Sequence, residues 1–188
     1  VAEAAARNLV PVTLELGGKC PAVVLPGADL ARAARDILAG KAVNAGQTCV
    51  APDTVLLVGH APETFRAACA AAAIGAPEGG LATDAAAARL DRLAAGLPAY
   101  PLTPAGEGRR RPLSLVETPP DSALGGEEIF GPVLALTPMP DLAAAIAWIA
   151  ARPPPLAIYL FGATRAEEAA VAAGTRSGAV VSGRAVEY

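Results

Sequence analysis

Seven short runs rich in apolar and β-branched residues, most of them separated by helix-length segments, constrain this 188-residue chain more than any other feature. The runs are Val12-Thr13-Leu14-Glu15-Leu16, Ala22–Leu25, Thr54–Val58, Leu113–Val116, Pro132–Leu136, Leu156–Phe161 and Gly178–Val181. Each is short enough for a strand and bounded by Gly, Pro or a polar residue. Between them the period changes to 3.6. From Asp29, the residues Leu30, Ala33, Ala34, Ile37 and Leu38 fall on one helical face, and that helix runs out near Asn44-Ala45-Gly46. Alanine-rich segments 61–75 and 82–96 read as helices, and 97–112, with its Pro, Gly and Arg, as an exposed loop. Asp141 N-caps a helix to about Ala151, stopped by Pro153-Pro154-Pro155, and Ala166–Ala173 is a last helix. Alternating strands and helices predict an α/β fold, a largely parallel sheet flanked by helices. No internal repeat is visible.

Length favours a single domain over residues 1–188. The 53% hydrophobic content fits a buried core, although much of it is alanine. No stretch supplies the roughly 18 uninterrupted apolar residues of a membrane span. The first seven residues lack the basic and apolar regions of a secretory signal, and the absence of an initial Met points to a fragment or processed product. Net charge is −3 and the one basic run, Arg109-Arg110-Arg111, is flanked by Pro and Gly. With 4% aromatic residues, there is no basic, stacking face for nucleic acid. Cys20, Cys49 and Cys69 show no paired spacing, which fits a reduced, cytoplasmic setting. One histidine, His60, and no CxxC give a zinc site little to build on, so no metal is expected.

Two residues carry potential chemistry. Cys49 follows a Gly-containing turn, yet a lone cysteine in an apolar chain is more often a packing residue than a nucleophile. Glu15 sits inside an apolar run. It is either buried, with a pKa raised toward that of a general base, or turned outward on a half-exposed strand. Local sequence leaves both alternatives open.

Taken together, the blocks are recognisable. Leu14-Glu15-Leu16-Gly17-Gly18-Lys19 comes first. Gly46-Gln47-Thr48-Cys49 follows, with Cys49 lying 34 positions after Glu15, and then Glu127-Glu128-Ile129-Phe130-Gly131-Pro132. This order resembles the aldehyde dehydrogenase superfamily. The stretch Asn44–Asp53, with Pro155–Phe161 and Ser177-Gly178, is most similar to its class 3, fatty and coniferyl aldehyde branch. The likeness is thin between about 61 and 112.

The resemblance implies NAD or NADP as cofactor and a small-molecule aldehyde as substrate, with Cys49 as nucleophile and Glu15 as general base for thioester hydrolysis. It implies that Glu128 holds the nicotinamide ribose, that Phe130 lies beside the ring, and that Leu16 and Gly17 complete that surface. Lys19 is expected in an ion pair, and Cys20 and Cys69 in packing. A homodimer is the expected assembly of the full-length form.

The sequence also departs from the family pattern. The family's chains are more than twice as long, so a cofactor-binding Rossmann domain is expected before Val1 and further segments after the Ser177-Gly178 block. Val181-Ser182-Gly183-Arg184 stands where Val-Asn is usual, Cys20 replaces a small polar residue, and Thr54 stands where the branch tends to have an aromatic. The interval from Cys49 to Glu128, 79 positions, is short for the family and implies a deletion. Two alternatives stand beside the enzyme: a non-catalytic remnant that acts only by association, and a thiol esterase needing no NAD.

Overall fold

A computed structural model describes residues 1–119 and 122–186. In chain order the elements are α1 (Ala2–Arg7), β1 (Pro21–Val24), α2 (Leu30–Ala42), a 3-10 turn (Val43–Gly46), β2 (Thr54–Val58), α3 (Pro62–Ala71) and α4 (Asp84–Ala94). Then follow β3 (Ala99–Pro101), β4 (Ser114–Glu117), α5 (Ala123–Gly126), β5 (Val133–Met139), α6 (Leu142–Ala150), β6 (Ala157–Phe161), α7 (Arg165–Gly174) and β7 (Ala179–Ser182).

The strands form one seven-stranded sheet in the order β3-β4-β5-β2-β1-β6-β7. Every pairing is parallel except β3 with the neighbouring β4. The expected largely parallel α/β fold is therefore present. Alternation along the strands divides the core. Ala22 and Val24, Val55 and Leu57, and Tyr159 and Phe161 face one layer, which also contains Ala34, Ile37 and Leu38 of α2 and Phe65 of α3. Val23, Leu25, Leu56, Val58, Ile158 and Leu160 face the other, with Trp148 and Ile149 of α6 and Val171 of α7. A third cluster joins α4 and α5 to β4 and β5 through Leu90, Leu124, Val116 and Ala135, with Ile129 beside them.

The helices start where side chains satisfy the first free amides. Asp29 accepts from Arg32 N at 3.1 Å, Asp141 from Ala144 N at 2.7 Å, and Thr164 forms a capping box with Glu167. No helix among the described residues is long and apolar enough to cross a membrane.

Two local expectations are corrected. Residues 12–16 are not a strand; they are exposed and outside regular structure. Both neighbours of β1 are already taken by β2 and β6, so these apolar residues find no half-buried pleated surface, which is what strand preference reflects. Segment 97–112 is not loop throughout, because Ala99–Pro101 pairs with Ser114–Val116 as the edge strand β3. A three-residue antiparallel edge ending in proline leaves no periodicity to detect.

Candidate active site

The amino ends of the central parallel strands carry the three sequence blocks. Cys20 precedes β1, Cys49 precedes β2 and Phe130 precedes β5. Open α/β sheets usually bind ligands beyond the carboxyl ends, so the location is the reverse of that rule. It follows from α2, which returns the chain from the far end of β1 and delivers it to the Cys49 turn.

That turn is built on left-handed backbone. Asn44 (φ 48°), Ala45 (φ 53°) and Gly46 (φ 73°) follow one another directly. For Asn44 and Ala45 such a conformation costs on the order of 1–3 kcal/mol each and persists only where neighbours hold it. Gln47 supplies much of that hold. Its Nε2 donates to Asn44 O at 3.1 Å and Gly80 O at 3.2 Å, and its Oε1 accepts from Ala82 N at 2.7 Å. Gly46 packs so closely on the Gly131 carbonyl that a β-carbon there would overlap it. From below, the buried Tyr159 hydroxyl donates to Val50 O at 2.6 Å and Cys20 Sγ donates to Cys49 O at 3.5 Å. Cys49 itself is half-buried and its thiol is free. Among the described residues, the amides of Thr48, Cys49 and Val50 meet no acceptor.

A buried ion pair ties the three blocks together. Lys19 Nζ pairs with Asp53 Oδ1 and donates to the carbonyls of Leu124 (2.7 Å) and Glu127 (2.9 Å). The other carboxylate oxygen of Asp53 accepts from Ile129 N at 2.7 Å. Ion, counter-ion and backbone partners are thus satisfied, which is the condition for burying a charge pair. Burial still lowers the Lys19 pKa, since desolvation outweighs the attraction of Asp53. The expected ion pair of Lys19 is present. Its partner, Asp53, had no role assigned from sequence.

Glu128 and Gly17 meet beside this pair. Gly18 N donates to Glu128 Oε1 at 3.3 Å, and a β-carbon on Gly17 (φ 76°) would come within 3.1 Å of the same oxygen. Glu128 is half-buried, and desolvation raises its pKa despite the Gly18 amide. Arg89 braces the segment by donating to the Glu128 carbonyl and, at 3.0 Å, to that of Ile129. Phe130 is exposed with φ 48°. The Glu128–Gly17–Gly18 group therefore comes together as a surface that a β-carbon would obstruct.

Glu15 and Leu16 are not drawn into it. Glu15 is exposed and its carboxylate accepts from Gly17 N at 2.8 Å, while Leu16 is 82% exposed. Burial of Glu15, one of the two alternatives, is thereby corrected; its neighbours in this stretch have nothing to pack on. Lys41 was also missed. Fully buried at the end of α2, it makes no hydrogen bond or ion pair among the described residues, and desolvation lowers its pKa to about 8. Its position seven after Ala34 and four after Ile37 continues the buried stripe, which was a readable signal. Arg89 offered none.

The profile of the aldehyde dehydrogenase family matches residues 1–187. This chain belongs to that family. It is 40% identical to a probable coniferyl aldehyde dehydrogenase of Pseudomonas aeruginosa, over 96% of this chain and 41% of the relative. It is 37% identical to a 4,4'-diaponeurosporen-aldehyde dehydrogenase of Staphylococcus aureus, over 86% of this chain and 38% of the relative. Among solved structures, substrate-bound Staphylococcus aureus AldH superposes with a TM-score of 0.87 at 30% identity, covering 98% of this chain and 43% of that one. An Escherichia coli NADP-dependent enzyme superposes at 0.89 with 25% identity, covering 100% and 43%. The chain thus spans about two fifths of the length of the relatives it matches.

Proposed function

We propose that this chain carries the catalytic centre of an NAD(P)-dependent aldehyde dehydrogenase, which oxidises an aldehyde to a carboxylic acid. The reading is supported above all by the Lys19–Asp53–Ile129 contact set, which joins the Glu15, Cys49 and Glu128 blocks at one end of the sheet. Coniferyl aldehyde dehydrogenases among the relatives favour an aromatic aldehyde of the coniferyl type.

In this reading the Cys49 thiolate adds to the aldehyde carbon, forming a C–S bond and a tetrahedral oxyanion. The free amide of Cys49 donates to that oxyanion, a preorganised dipole where negative charge develops. Glu128, Phe130 and Gly17 would hold the nicotinamide end of the cofactor, joined by Leu16 once residues 8–16 are seated. Their fit rests on the unobstructed Gly17 backbone beside a half-buried carboxylate. NAD(P)+ supplies, when bound, the acceptor for the hydride released as the adduct becomes a thioester. Glu15 then takes a proton from water, the water oxygen attacks the thioester carbon, and the C–S bond breaks to return the Cys49 thiol and release the acid. Glu15 bonds only its own Gly17 amide here, so this role requires residues 8–16 to be seated against the site. A homodimeric, cytoplasmic enzyme is part of the same proposal.

The deciding experiment is alkylation of Cys49 by iodoacetamide against pH, with Cys20→Ala and Cys69→Ala in the background. An apparent pKa well below the ordinary value of about 8.5 supports an activated nucleophile. A value at or above it, with slow labelling, favours the non-catalytic remnant. Ester turnover adds a second readout: Cys49→Ser should abolish it, and Glu15→Gln should slow deacylation while leaving acylation intact. Equal loss in both steps would remove Glu15 from its role.

A further inference from the structure

Beneath the proposed nucleophile lies a second thiol that the reaction does not use. Cys20 is fully buried at the position before β1, where its Sγ donates to the carbonyl of Cys49 at 3.5 Å. Its own carbonyl accepts from Asp53 N at 2.8 Å, so the segments leading into β1 and β2 are held side by side at this level. That contact puts the Cys20 sulfur within about 6 Å of the Cys49 Cα, near enough for a turned Cys49 side chain to approach it. Cys49 sits on a turn outside any strand ladder, and rotation about its χ1 turns its sulfur without breaking sheet pairing. Cys69, on α3, is buried instead with Phe65 in the core layer that α2 and α3 cover.

We infer that Cys20 is a resolving thiol, and that under peroxide Cys20 and Cys49 close a reversible intramolecular disulfide. The inference rests on Cys49 being the reactive thiol of the reading above. In the first step the Cys49 sulfur attacks a peroxide oxygen and the O–O bond breaks, giving a sulfenic acid and water. In the second, Cys20 sulfur attacks the sulfenic sulfur, the S–O bond breaks, and a second water leaves with the Cys20 proton. The two thiols have given two electrons, and the peroxide has become water. Burial raises the Cys20 thiol to about 11, which keeps it protonated and leaves the first oxidation to the half-buried Cys49. Proximity then favours condensation over a second oxidation of Cys49 to the irreversible sulfinic acid. The device holds the nucleophile in a recoverable form.

The test treats the 188-residue chain with hydrogen peroxide and reads intact mass and non-reducing peptide maps. The expected product is lighter by about 2 Da, joins the Cys20 and Cys49 peptides, and reverts with dithiothreitol. In Cys20→Ser, which keeps a donor for the Cys49 carbonyl, Cys49 should instead gain about 32 Da as sulfinic acid. Sulfinic acid formed equally fast in both proteins would overturn the inference. So would a linkage through Cys69, or between two chains, or no linkage at all. Iodoacetamide labelling of the reduced chain reads the nucleophile proposal separately. Fast labelling without a Cys20–Cys49 disulfide defeats only the resolving thiol; slow labelling with the disulfide defeats only the nucleophile.

Discussion

Residues 8–16 and 19–25 are neighbours in sequence with much the same apolar, β-branched character, yet they end in opposite environments. Val10, Val12, Leu14 and Leu16 are exposed, whereas Ala22, Val23, Val24 and Leu25 lie at the centre of the sheet, at most 1% exposed. The second segment has a strand on either side, β2 and β6, and a helical layer on each face. The first has neither. Composition therefore does not separate them; available partners do. The same line divides the proposed site. Lys19, Asp53 and Glu128 are held by contacts inside this chain, while Glu15 and Leu16 lie on the stretch that is not.

The largest effect that could break this comparison is expected from Lys19→Met. It leaves the buried Asp53 carboxylate without its cation, and should cost about 3–5 kcal/mol in urea denaturation. A loss near zero would mean that the pair does not join the blocks. Gly46→Ala comes next. The left-handed backbone and the overlap with the Gly131 carbonyl should destabilise the fold by about 2–3 kcal/mol and slow Cys49 alkylation. Unchanged labelling would separate the turn from the reactivity of the thiol.

Lys41→Met sharpens the comparison from inside and has the opposite sign. The folded-state pKa of Lys41 lies near 8, below its ordinary 10.5, so the fold bears the cost of a buried charge below pH 8. That cost fades between 8 and 10.5 and is gone above. The variant should therefore be more stable at pH 7 by on the order of 2 kcal/mol, with the gap narrowing toward pH 10. A gap independent of pH would place its origin in packing. Smallest of all, Glu15→Gln and Leu16→Ser should each change stability by less than about 0.5 kcal/mol, because neither side chain is packed. A larger loss would show that residues 8–16 pack in solution.

Much of the architecture was legible. The runs at 22–25, 54–58, 113–116, 132–136 and 156–161 lie on strands β1, β2, β4, β5 and β6; α2 starts at Asp29 and Asp141 caps α6, as read. Each combines a local period with a stop signal, and local chemistry suffices for both. The failures at 12–16 and 99–101 have the same origin in reverse. The first has strand-like residues and no strand to pair with; the second has poor strand residues and a waiting edge in β4. At the site, the Cys49 turn and the Glu128 segment were picked out by their motifs. Asp53 lay within a quoted motif but gained its meaning only through Lys19, 34 positions earlier, and Ile129, 76 positions later.

Short apolar runs alternating with 3.6-residue repeats are enough to predict an α/β fold, because both follow from the order of side chains along the chain. Strand order is different in kind. Hydrogen bonds between strands are made by any backbone, so β3-β4-β5-β2-β1-β6-β7 is selected by how the layers pack over long separations. Only that selection brings Lys19 against Asp53, sets Cys20 under Cys49, and leaves Glu15 outside.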